Sequence, residues 1–232
     1  MDGGTATSRN EVQVLETLRE EFFPTGILSE AAARELMAQY APHGRVATAA
    51  GIETLLRVME AAIQTPSLLS AFLIGQFCAA VIAGEGPALG RRPHFSRSID
   101  AEDVRFLRRV LEAAGGTAGI PVSRAESEAL FDLHDAAAAG SSDASFHDLF
   151  CKAIADHLIA ASGHSVPPRR EALAAERDLV RIAVGAEQEA WLASHIMRDG
   201  RPTAAELRLL GLLGNGPNAS DPSVRRFIDF AA

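Results

Sequence analysis

Apolar residues recur along the chain at intervals of three and four, and no run of β-branched residues alternates cleanly with polar ones over a strand's length. This periodicity predicts helices near 9–22, 29–40, 48–64, 66–83, 100–114, 123–138, 143–162, 168–183, 186–198, 203–213 and 222–230. Four of them share one approach: a glycine, then Ser29, Thr48, Ser123 or Thr203, then an amphipathic helix. Each hydroxyl stands where an N-cap oxygen would accept one of the orphaned backbone N–H groups of the first turn. Ser123 with Glu126, and Thr203 with Glu206, have the spacing of capping boxes, and Asp100 with Asp103 repeats it. Thr65 followed by Pro66 reads as a cap and a first helical residue.

The units also correspond to one another. Thr48, Glu53, Leu55 and Leu56 match Ser123, Glu128, Leu130 and Phe131 at a constant offset of 75. Between them lies GEGPALGRRPHFSRS, whose glycines and prolines mark a linker or exposed loop at 84–98. The expected fold is all-α, an orthogonal multi-helix bundle built from repeated helix-loop-helix units. It has an N-terminal half at 1–83 and a C-terminal half at 99–232, either separate or merged into one domain.

The stretch DGRPTAAELRLL, from Asp199, resembles the second half of an EF-hand loop. Placing Asp199 and Glu206 at loop positions five and twelve puts His195 and Met197 where acidic ligands belong, so calcium binding is not expected. The Gly–apolar–Ser/Thr–x–x–Glu rhythm also resembles the tellurite-resistance TerB-like family. SIDAEDVRFLRRVLEAAGGTAGIPVSRAESEALFDLHDA is most similar to an uncharacterised alphaproteobacterial helical group. The resemblance covers about residues 20–165. It implies a helical fold and an association with stress response, the envelope or metal handling. The family's acidic metal clusters have no counterpart here residue by residue, so it assigns no site.

Composition agrees with closely packed helices: 47% of residues are hydrophobic but only 6% aromatic. The net charge is −8, with acids and bases interspersed. That balance argues against nucleic acid as a partner, because phosphate neutralisation needs a basic field. The short pairs Arg91-Arg92, Arg169-Arg170 and Arg225-Arg226 read as solvated surface. Cys78 and Cys151 lie in apolar helical stretches and read as buried free thiols in a reducing cytoplasm. The first residues carry no basic-then-apolar secretory pattern.

No charged residue falls between Glu60 and Glu85, a length that could span a bilayer. The break at Gln64-Thr65-Pro66 and the acidic flanks favour a buried helix, with no membrane span expected. Within it Ser67, Ala71, Gly75, Ala79 and Ala83 form a stripe of small residues. The stripe predicts a neighbouring helix crossing close to Gly75, with a homodimer seam as the alternative.

Reactive side chains concentrate in His134-Asp135, His147-Asp148, Cys151, Asp156-His157 and His164. His147 and Cys151, four apart, share a helix face and could ligate one metal. The candidate metal ligands are therefore His134, His147, Cys151 and His157, with zinc or another divalent ion as the cofactor. Against that, His134 and His157 lie on apolar stripes that suit core histidines. There is no Gly-x-Ser-x-Gly elbow and no phosphate-binding glycine loop, so no catalytic residue or organic cofactor is assigned. Three functions fit: a non-enzymatic adaptor or stress-associated protein acting through a protein partner, a metal-binding protein, or a small-molecule or lipid binder with a pocket between Ala-rich helices. The first leads because no motif selects the others.

Overall fold

Side-chain oxygens set where the helices begin. Ser29 accepts from Ala32 N–H, Thr48 from Gly51 N–H, and Asp100 and Ser123 close full capping boxes with Asp103 and Glu126. Thr203 accepts from Glu206 N–H at 3.3 Å while the Glu206 carboxylate accepts from Thr203 N–H at 2.7 Å, the same reciprocal pair. Thr65 is a correction: Pro66 is the N-cap, and Thr65 Oγ1 is buried without a hydrogen-bond partner.

The computed structural model describes residues 3–84, 97–117, 119–138, 140, 142–174, 184–198, 200 and 202–213. Among them it forms ten helices: α1 (Gly3–Phe22), α2 (Glu30–Tyr40), α3 (Ala49–Ala61), α4 (Ser67–Ala83), α5 (Ala101–Gly115), α6 (Arg124–Ala137), α7 (Ala144–Ala161), α8 (Arg169–Ala174), α9 (Ala186–Ile196) and α10 (Ala204–Leu213). The described residues contain no β-strand beyond a single parallel bridge, Ile27 to Gln64. The fold is all-α. α1 starts well before residue 9. Most of the expected linker (85–96), the end of the expected helix at 168–183 and the expected helix at 222–230 lie outside the described residues.

One apolar cluster runs from Leu18 in α1 to Leu210 in α10. α4 packs most extensively on α6, so elements from 1–83 and 99–232 share that core. α4 presents Leu69, Leu73, Ile74, Phe77 and Val81 to it. Gly75, at the centre of the small stripe, lies on the other side: it is exposed, and a Cβ added there would meet no atom within 4 Å. This corrects the expected close crossing at Gly75. α4 is apolar all round, so its sequence carried no signal for which side turns inward. No helix among the described residues is long and apolar enough to cross a membrane.

Arg169 is a second correction. Arg170 is 81% exposed, but Arg169 is only 2% exposed and pairs with the fully buried Glu126. Its Nη1 donates to Glu126 Oε1 at 2.8 Å and to the Leu111 carbonyl at 2.9 Å. Nη2 donates to Glu126 Oε2 at 3.1 Å and to the Pro121 carbonyl, and Nε to the Ile120 carbonyl at 2.8 Å. All five guanidinium N–H groups are used. Glu126 also accepts from Ser70 Oγ at 2.6 Å and from Ser123 N–H at 2.7 Å. One ion pair thus joins α4, the approach to α6, and α8.

Candidate functional site

Packing of α7 on α6 positions the first part of the site. Phe131 meets Phe150 edge-on at 5.1 Å between ring centroids, and His134, one turn further along α6, stacks on Phe150 at 4.4 Å. This holds the His134 ring flat against the core with 2% of its surface exposed. The second part comes from the start of α10. Thr203 Oγ1 lies 3.3 Å from His134 Nε2, and the capping box beneath it folds the Glu206 side chain back into the protein.

The result is a group of three potential ligands. One atom each from His134, Asp135 and Glu206 all lie within 4.8 Å of one another. His134 Nδ1 has no hydrogen-bond partner and stands 3.8 Å from Asp135 Oδ1. Asp135 also faces Arg198 at 3.3 Å, and Arg198 in turn pairs with Asp132. Burial holds the Glu206 carboxyl above its usual range, partly offset by hydrogen bonds from Thr203 and by the nearby His134.

Above this group lies a cleft of about 430 Å³ between α6, α7 and α10. His134, His147, Cys151 and Arg208 line it, with Ala137, Ala138 and Phe146 forming an apolar wall. Of the four candidate metal ligands read from the sequence, His134, His147 and Cys151 therefore surround one space. His134 and His147 lie 6.0 Å apart, ring to ring, and His147 Nδ1 is also buried without a hydrogen-bond partner. Burial, and then the proximity of His134, push the His147 imidazole below its usual range.

Cys151 lines the cleft but lies outside the three-donor group of His134, Asp135 and Glu206. Burial pushes its thiol up to about 11, and Sγ donates to the Ala205 carbonyl at 3.4 Å. In this state the thiol is held protonated, so binding a metal there would have to displace its proton. His157 does not line the cleft. Its Nδ1 lies 3.0 Å from the Val122 carbonyl, its ring meets Trp191 edge-on at 5.1 Å, and burial lowers its pKa.

Asp135, Glu206, Thr203 and Arg208 were not among the ligands read from the sequence. Thr203 and Glu206 were legible as a capping box, but nothing local marks the same Glu as a neighbour of His134. No family model, no curated protein and no solved structure is significantly similar to this chain.

Proposed function

We propose that this is a divalent-metal-binding helical protein whose ligands are His134, Asp135 and Glu206, with zinc as the ion the donor set favours. The observation that carries this reading is the convergence of three donor atoms within 4.8 Å, two of them on side chains only 2% exposed. A buried imidazole nitrogen such as His134 Nδ1 is costly to leave without a partner, and a cation between it and the carboxylates would offset that cost. A tetrahedral zinc holds ligand atoms about 3.4 Å apart, so small side-chain rotations close the set. Three protein ligands leave a coordination position for water or another molecule. Binding competes with protons for the imidazole and the carboxylates, so affinity rises with pH. The test is a calorimetric zinc titration of chelator-treated protein, which should find one site per chain. No heat of binding at micromolar protein contradicts the proposal.

A second reading, contact with a protein partner or a second copy of the chain, draws support from α4. Leu68, Phe72, Gly75, Ala79 and Ile82 are at least partly exposed and recur at spacings of four and three, the interval of a helix-packing seam. Light scattering across a concentration series tests the self-association version. Cys78 and Cys151, both buried and free, support a cytoplasmic location.

A further inference from the structure

We propose that the cleft between α6, α7 and α10 binds a small organic acid. The carboxylate would sit against the first turn of α10 and Arg208, and the apolar body along Ala137, Ala138 and Phe146. The cleft, at about 430 Å³, falls within the range of small-molecule sites. Among the described residues its lining carries no carboxylate and one cation, Arg208. In the first turn of α10, Leu207 N–H bonds the Thr203 carbonyl and Glu206 N–H bonds Thr203 Oγ1. No acceptor among the described residues meets the Ala204 and Ala205 N–H groups, and both residues line the cleft. Free amides at a helix start attract an anion.

Independent of the helix terminus, His134 lines the same cleft, is 2% exposed and leaves Nδ1 without a hydrogen bond. Arg208 adds a full positive charge at the rim. Its one ion pair among the described residues, to Asp148, is long at 3.4 Å, and Asp148 is already held by Lys152 at 2.6 Å. A bare inorganic anion would leave the alanine and phenylalanine wall uncovered. An acid with a short hydrocarbon body covers both.

This inference does not need the metal, and chelator-treated protein tests it separately. Linear saturated monocarboxylates of four to ten carbons are titrated into that protein, with the matching primary alcohols as controls. Affinity should rise about fourfold per added methylene until the cleft is full. The alcohols should bind at least tenfold more weakly than the acids. Arg208→Gln should cost the acids about tenfold and the alcohols little. Ala138 is exposed at the cleft wall, so Ala138→Trp should abolish binding of both series while leaving the fold intact. No binding by any acid, equal binding of acids and alcohols, or indifference to both substitutions would each overturn the proposal. Zinc binding that persists while the acids fail to bind would remove this inference alone.

Discussion

Arg169 meets Glu126 through two parallel N–H···O bonds, at 2.8 and 3.1 Å, inside the protein. The guanidinium's other three donors end on backbone carbonyls of Leu111, Ile120 and Pro121. Removing the cation leaves a buried carboxylate without its counter-charge, held only by Ser70 Oγ and Ser123 N–H, and takes a donor from each of three carbonyls. Arg169→Met should therefore lower stability by about 3–5 kcal/mol. Arg169→Lys should also destabilise, because one ammonium with three donors cannot match a fork of five. Urea unfolding measures both. A midpoint unchanged in either variant contradicts the structural role assigned to the pair.

Acid sensitivity should come from two histidines. His147 and His157 are both held below the usual imidazole value of 6.5, chiefly by burial. The folded state therefore binds their protons less readily than the unfolded state does. Their contribution is complete above the unfolded value and is lost as pH falls through the folded values. Glu206 and Asp156, raised by burial, act in the opposite sense: the stability they contribute is present at low pH and lost as pH rises through their folded values. The histidines' share of stability should therefore fall as pH drops below about 6.5, and the double variant His147→Gln, His157→Gln should remove that share. An equally steep fall in the double variant would contradict this assignment.

Two glycines should respond in opposite ways to alanine. A Cβ at Gly75 meets open space on the outside of α4, so Gly75→Ala should stabilise by up to about 1 kcal/mol through helix propensity. Gly116 has φ +55, and a Cβ there would lie 2.2 Å from the Ile63 carbonyl oxygen. Gly116→Ala should cost about 2 kcal/mol or more. Thermal melts of the two variants should move in opposite directions. Loss of stability at Gly75 would mean that its face of α4 is covered in solution.

What was legible in the sequence was local. Caps at Ser29, Thr48, Asp100 and Ser123 bind amides two or three residues away, so residue type and spacing carry the information. Arg169 was misread because its partner Glu126 lies 43 positions away, and an Arg-Arg pair after prolines looks like surface. The four-residue spacing of His147 and Cys151 put both on the cleft. His157 comes six residues after Cys151, about 240° further around α7, and so faces elsewhere. The meeting of His134 with Thr203 spans 69 positions, and only the packing of α10 on α7 brings that end of α10 to α6. Helix periodicity does not encode such a contact.

The most direct measurement is a zinc titration of chelator-treated wild-type protein beside four variants. Glu206→Gln keeps the capping box, since Gln caps as Glu does, but removes the carboxylate. His134→Phe keeps the stacking on Phe150 and removes the ring nitrogens. Both should weaken zinc binding at least tenfold, while His157→Gln and Cys151→Ala should leave it unchanged. Zinc binding that survives Glu206→Gln and His134→Phe, or that is lost with Cys151→Ala or His157→Gln, would contradict the assignment of the site.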